Sequence, residues 1–234
     1  MTRDVERDLF KAADPAKAGL LQRFFKTGKG EYAEGDKFLG LTVPVTRAVA
    51  ARHRDLPLSG VKRLLASPWH EHRLCALIIL AERFEKAEAA QKKAIYDLYL
   101  ASTRRINNWD LVDASAHLIA GAWLKDKSRA PLYRLAKSGL LWERRIAMIA
   151  CFAFIYDGEA ADALRIARLL LGDKHDLMHK AVGWMLREVG KRCSQELLLA
   201  FLKENYPRLP RTTLRYAIER FPEARRKRLL AGKF

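Results

Sequence analysis

A helix opening returns every 35 or 36 residues along this chain. The apolar-periodic segments containing Arg73, Trp109, Arg145, Lys180 and Arg215 follow one another at steps of 36, 36, 35 and 35 residues. Four of the five markers lead directly into an apolar run: Leu74-Cys75-Ala76-Leu77, Ile146-Ala147-Met148-Ile149, Ala181-Val182-Gly183-Trp184 and Tyr216-Ala217-Ile218. A unit of this length holds a pair of helices and cannot bury its apolar face alone, so neighbouring units have to stack. The expectation is an all-α solenoid.

The Trp and Tyr positions of a tetratricopeptide consensus are missing, so a HEAT-like helical repeat superhelix fits better, with residues 1–234 as a single domain. Helical periodicity is strongest over 15–26, 44–54, 61–67, 70–84, 87–103, 109–124, 142–156, 159–171, 175–191, 195–204 and 211–220. No stretch shows sustained alternation of the kind a half-buried strand needs. The segment 27–42, with Gly28, Gly30, Gly35 and Gly40, lacks the Gly-Lys-Ser/Thr ending of a phosphate loop and reads as a surface connection able to touch a ligand backbone.

Charge narrows the partner. The chain carries 44 Lys and Arg against 27 Asp and Glu, a formal net charge of +17. The first hundred residues hold 18 basic and 13 acidic side chains, and the rest hold 26 and 14, so the excess lies mainly in the second half. Such an excess suits a polyphosphate, although a solvated surface needs no partner. In a solenoid, equivalent slots line up along one surface. Arg73, Arg145, Lys180 and Arg215 would then form a row of cations on a concave basic wall, a cradle for a nucleic-acid backbone. The alternative is that they pair with acids of adjacent repeats such as Glu71, Glu143 or Glu219.

The remaining slot holds Trp109, inside Asn107-Asn108-Trp109-Asp110-Leu111-Val112-Asp113. Asn107 or Asn108 can cap the helix, and Asp110 in the first turn gains from the helix dipole. Asp113 has no such explanation. It lies one turn beyond Trp109 on the same face, where it either forms a salt bridge to a neighbouring repeat or performs chemistry. Two further segments belong beside it: Trp142-Glu143-Arg144-Arg145, and the face that sets Lys180, Trp184 and Arg187 at spacings of four and three. A lone Trp184 would be core; flanked by cations it reads as a surface ring.

Asn108-Trp109-Asp110-Leu111-Val112-Asp113, Trp142-Glu143-Arg144-Arg145 and Lys180-Ala181-Val182-Gly183-Trp184-Met185-Leu186-Arg187-Glu188 resemble segments of the AlkD-type alkylpurine DNA glycosylases, over nearly the whole chain. The resemblance implies HEAT-like repeats and a catalytic carboxylate at Asp113. It also implies rings at Trp109 and Trp184 that face the damaged nucleotide's sugar, and a DNA-phosphate contact at Arg145. Arg144, Lys180, Arg187, Arg73 and Arg215 are the further DNA-binding candidates. The chain departs from some members in carrying Phe24 where they have Tyr, and in a longer glycine-rich connection.

The chemistry is consistent with one acid. Glycoside hydrolysis ordinarily takes two carboxyl groups, one to protonate the leaving group. A purine alkylated at N7 or N3 is already cationic and departs as a neutral base without a proton, so only the positive charge developing on the deoxyribose needs stabilising. Asp113 could supply that and orient the water, with cation–π help of about 1 kcal/mol from each indole. The expected activity is monofunctional release of 7-methylguanine- or 3-methyladenine-type bases from double-stranded DNA, the first step of base excision, leaving an abasic site.

Rival classes are a non-catalytic HEAT-like protein that binds distorted or branched DNA, and a protein-binding scaffold. A carboxylate among phosphates would cost a pure binder affinity, which favours the enzyme. No cofactor is expected. No metal is expected either: His175 and His179 lack a third ligand, and His70 and His72 are two apart. Cys75, Cys151 and Cys193 are widely spaced among apolar residues and read as buried reduced thiols. The charged N-terminus does not read as a secretory signal, and the longest apolar run, eleven residues from Ile146, is too short to span a bilayer. A monomeric cytoplasmic protein, on the nucleoid during repair and without a membrane partner, is the expectation.

Overall fold

The computed structural model describes residues 1–234 and is helical throughout, its only β-type pairing being an isolated bridge between Lys37 and Trp69. The chain divides into two compact units, Met1–Ala120 and Gly121–Phe234.

The first unit contains α1 (Thr2–Lys11), α2 (Pro15–Phe24), α3 (Val43–Arg52), α4 (Leu58–Leu65), α5 (His70–Lys86), α6 (Ala89–Ala101) and α7 (Trp109–Asp113). The second contains α8 (Ala130–Ala136), α9 (Leu141–Ala150), α10 (Phe152–Tyr156), α11 (Ala161–Leu170), α12 (Asp176–Arg192), α13 (Gln195–Asn205), α14 (Arg211–Ala217) and α15 (Glu223–Leu230). Local chemistry sets the openings. Asp14 caps α2 by accepting from the Lys17 amide at 3.1 Å, with Pro15 supplying the first helical residue, and Ser194 caps α13 through the Leu197 amide at 3.1 Å.

The solenoid expectation is met within each unit. In the first, α1 packs on α3, α3 on α5 and α5 on α7, while α4 and α6 pack against α5. In the second, α9 packs on α12 and α12 on α14, with α8, α11 and α13 against them. The helices that open near the five sequence markers, α5 and α7 in the first unit and α9, α12 and α14 in the second, are therefore the inner members of the stack within each unit. Their apolar runs are the core: every residue from His70 to Leu80 and from Arg145 to Cys151 is buried. A helix buried on all sides needs neighbours on all sides, which a stack provides.

Three helices were not anticipated. In α1 the buried pair Val5 and Leu9, one turn apart, is outnumbered by charge. The short α8 carries Leu132 and Ala136 on its inner side, and α15 buries only Leu229, with Lys227 and Arg228 of its basic run in the last turn. Two expected helices are interrupted. The 142–156 pattern breaks at Cys151, and the 109–124 pattern ends at Asp113 and resumes as a π-helical turn over His117–Gly121. Cys75 and Cys151 are buried free thiols, while Cys193 is half-buried. No helix is long and apolar enough to cross a membrane.

The glycine-rich connection lies at the surface over residues 28–31 and 34–35, as its composition suggests, but its second part does not. Phe38, Leu39, Gly40 and Leu41 are buried. The Glu71 carboxylate, 1% exposed, accepts the backbone amides of Leu39, Gly40 and Leu41 at 2.9, 2.9 and 3.1 Å. Gly40 has φ +89°, and a Cβ there would lie 2.1 Å from the Asp14 carbonyl oxygen, so only glycine lets the strand-like segment pass α2. Glu71 is thus a loop anchor rather than a partner for a surface cation.

Candidate functional site

Trp109 and Asp113, the catalytic candidates of the first unit, sit on α7, a helix of five residues. Asn108 brings the chain in extended (φ −151°, ψ 158°), and its side-chain oxygen accepts the Trp109 amide at 2.8 Å. The helix stops at Asp113. Two residues later Ser115 donates its hydroxyl back to the Leu111 carbonyl at 2.6 Å and meets the Tyr99 hydroxyl at 3.1 Å, a back-bond that bends helices. The π turn follows, the kind of local distortion that recurs at functional sites. Asp113 is therefore a terminal residue, where a helix dipole favours a cation over a carboxylate, rather than an interior one. It is half-buried. Its charge helps burial to raise the Tyr99 phenol, and its backbone receives a hydrogen bond from the His117 ring.

Helix openings correct the register read from the constant period. Arg145, Lys180 and Arg215 are each the fifth residue of their helices, and Arg73 is the fourth of α5. In α7 the fifth residue is Asp113 and the first is Trp109. The acid, not the indole, stands where three other inner helices place a cation. Units of unequal length hide this from a fixed step.

Trp109 is half-buried in an aromatic stack. Phe25 lies parallel to it at 5.3 Å between ring centres (22°), and the exposed Phe24 meets it edge-on at 6.1 Å (72°). Phe25 in turn stacks on Phe38 at 5.0 Å and approaches the His70 ring at 5.1 Å, and Phe38 covers His70 at 4.4 Å. Behind the stack is a buried polar network that the sequence reading missed. His70 Nε2 is 2.7 Å from Asp110 Oδ2, and its Nδ1 is 3.4 Å from Asp36 Oδ2. Arg73 donates to Asp36 at 2.6 Å, and the Asn107 amide donates to Asp36 at 3.3 Å. Burial alone would lower the His70 pKa, but the Asp110 carboxylate and the hydrogen bonds to Asp110 and Asp36 outweigh it and raise the value to about 8. For Asp36, burial works upward, yet His70 and Arg73 hold it below the usual carboxylate range. Asp110 thus keeps its helix-opening place but also bonds across to α5. A hint was available in His70-Glu71-His72-Arg73, four polar residues opening a helix whose next seven residues are buried and apolar.

Arg73 leaves the row of surface cations. It is 1% exposed and held by Asp36 and the Ser67 carbonyl at 3.0 Å, so it has no face for a phosphate. In the second unit Arg145 is 4% exposed and donates to the Leu177 carbonyl, which makes it a fixed cation rather than a mobile surface one. Arg144 pairs with Asp173 at 2.6 Å and Arg187 with Glu188 at 3.3 Å and with Glu219, so ion pairing with neighbouring acids does occupy these two. Lys180 pairs with Asp176 at 2.7 Å and stays 39% exposed, and Arg215 is exposed. Trp184 is half-buried, tilted against Phe152 at 6.2 Å. Its place is set by Gly183, where a Cβ would come within 2.5 Å of Tyr216 Cβ and 2.7 Å of the Thr213 carbonyl oxygen, so α12 and α14 approach closely there. His175 caps α12 through the Leu177 amide, and His179 bonds the Asp173 carbonyl at 2.6 Å.

Comparison with known proteins bears on the fold and the family. A structure described as a predicted DNA alkylation repair enzyme from Enterococcus faecalis shares the fold at 15% identity, with a TM-score of 0.68, over 90% of this chain and 97% of that one. No curated protein matches the chain. The profile of the DNA alkylation repair enzymes matches residues 5–221, and the chain belongs to that family.

Proposed function

We propose that this protein is a monofunctional DNA glycosylase that hydrolyses the N-glycosidic bond of cationic N7- or N3-alkylated purines in double-stranded DNA and leaves an abasic site. The observation that carries the reading is the Asp113 carboxylate closing a one-turn helix, with the ring-stacked Trp109 at its start. An acid that its own helix does not favour, beside an indole held by Phe25, suits a site for positive charge.

The reaction balances without a general acid. The electron pair of the bond between C1′ and the purine nitrogen moves to the ring, which leaves neutral. Water adds its oxygen to C1′ and releases a proton. Asp113 stabilises the positive charge growing on the sugar and orients the water, and the face of Trp109, one turn away on the same helix, adds to the same stabilisation. Arg145, which the family resemblance assigns to a phosphate, is 4% exposed and would act through its fixed charge, while Lys180 and Arg215, with Arg144 and Arg187 beside their acid partners, are assigned the DNA backbone. Neutral lesions, which need a proton on the leaving base, should react poorly.

The test is release of free 7-methylguanine from alkylated duplex DNA above spontaneous depurination. Asp113→Asn should lower that release by roughly two to three orders of magnitude, as removal of a transition-state charge partner does elsewhere, and leave DNA binding equal or tighter. Weaker binding with unchanged turnover would make Asp113 structural, and no release by the unaltered protein would reject the glycosylase.

A further inference from the structure

His70 is the centre on which the elements behind Trp109 converge. It opens α5, is 2% exposed, and lies between two carboxylates and two phenyl rings. The charged groups facing it are Asp110 from α7, Asp36 from the connection preceding α3, and Arg73 from α5 itself. With His70 as an imidazolium, two anions meet two cations and the buried cluster is neutral. With His70 uncharged, Arg73 alone faces two buried carboxylates, and Asp110 loses a charge-assisted bond. The second oxygen of Asp110 is buried with no hydrogen-bond partner, so the contact to His70 is the one that holds this carboxylate.

The helix that depends on it cannot hold itself. A single turn is below the length at which a helix is stable alone, so the orientation of α7 is set by what grips its residues. Leu111 and Val112 are gripped by the core, and the opening turn by Asn108 and by Asp110 through His70. Trp109 is adjacent to Asp110 and rests on Phe25, which itself leans on His70.

We propose that His70 is a positioning residue of the repair reaction: as an imidazolium clamped between Asp110 and Asp36, it locks the opening turn of α7 and thereby orients the Trp109 ring and the Asp113 carboxylate. The proposal rests on the glycosylase reading for its effect on rate, but its structural half can be read without it. Deprotonation of His70 above about pH 8 loosens α7 without removing any group that contacts DNA. The effect therefore falls on turnover, not on affinity.

The experiment compares the unaltered protein with His70→Gln, which keeps hydrogen bonding but cannot carry the charge, and Asp110→Asn, which removes its partner. Single-turnover release of 7-methylguanine is measured from pH 6 to 9.5 with spontaneous release subtracted, alongside DNA affinity. Trp109 emission is read by difference against Trp109→Phe. The unaltered protein should lose rate on the order of ten-fold between pH 7 and 9 at constant affinity, within the range that small misplacements of reacting groups cost. Both variants should show the reduced rate already at pH 7 with no alkaline fall, and Trp109 emission should shift near pH 8 only in the unaltered protein. If His70→Gln does not fold, Asp110→Asn carries the same comparison. An alkaline fall that persists in the variants, or variants at full rate, overturns the proposal. If no protein releases base at any pH, the glycosylase reading fails and emission decides: a shift near pH 8 absent from the variants upholds the lock on α7, and no shift rejects it.

Discussion

Residues 1–120 hold 20 basic and 15 acidic side chains and residues 121–234 hold 24 and 12, yet it is the less biased unit that buries more of its ions. Asp36, His70, Glu71 and Arg73 of the first unit are all below a tenth exposed, whereas the second keeps Arg145 and Glu188 at that level. Its other cations are half-buried or exposed and pair at the surface, as Arg129 with Glu159 and Asp162 at 2.6 Å and Arg168 with Glu204 at 2.8 Å. Buried ions are costly to desolvate and rigid once matched, so they fix the place of a segment such as α7. Surface ions are screened and individually weak, but their unmatched excess is available to a polyanion. The first unit uses charge for position, and the second for potential.

The largest expected effect separates the two uses. Arg73→Met leaves Asp36 and Asp110 with His70 as their only cation and should destabilise folding by about 3–5 kcal/mol in urea unfolding, as loss of one partner of a buried pair does. A loss below about 1 kcal/mol would mean the cluster is not a buried ionic unit and would erase the contrast. The pH dependence comes next. The His70 pKa is raised from 6.5 to about 8, so the stabilisation it provides is full below 6.5 and disappears as pH rises through 8. It amounts to about 2 kcal/mol. The difference in unfolding free energy between the unaltered protein and His70→Gln should shrink over that window, and a difference that stays flat from pH 6 to 9 would contradict it. The smallest effect belongs to the second unit. Lys180→Ala should change stability by at most about 1 kcal/mol, yet lower the slope of log affinity for duplex DNA against log salt by about 1. An unchanged slope would remove Lys180 from the DNA surface.

How much of this was legible in the sequence depends on the range of the interaction. The helix openings were readable because a cap or a proline acts within three residues, as at Asp14, Asn108 and Ser194. Asp113 and Trp109 could be singled out because their spacing is itself local. The end of α7 at Asp113 was not readable, since a serine inside an apolar-periodic stretch does not announce whether it will back-bond, as Ser115 does to Leu111 while meeting the Tyr99 hydroxyl from another helix. The burial of Arg73 was hidden for the same reason: its partner Asp36 is 37 positions away in a segment whose glycines resemble a surface loop.

By itself the sequence determined that the chain is helical, that its inner helices recur at about 35 residues, and that its net charge suits a polyanion. All three follow from periodicity, composition and short-range capping, which need no partner from elsewhere in the chain. Only the tertiary structure decided which cations are buried and which are available. It also showed that Asp113 rather than Trp109 takes the cation's slot, and that Asp110 reaches His70. The reason is physical: whether a charge is held or free depends on the dielectric and the counter-charges around it, and those are supplied by residues that only folding brings together.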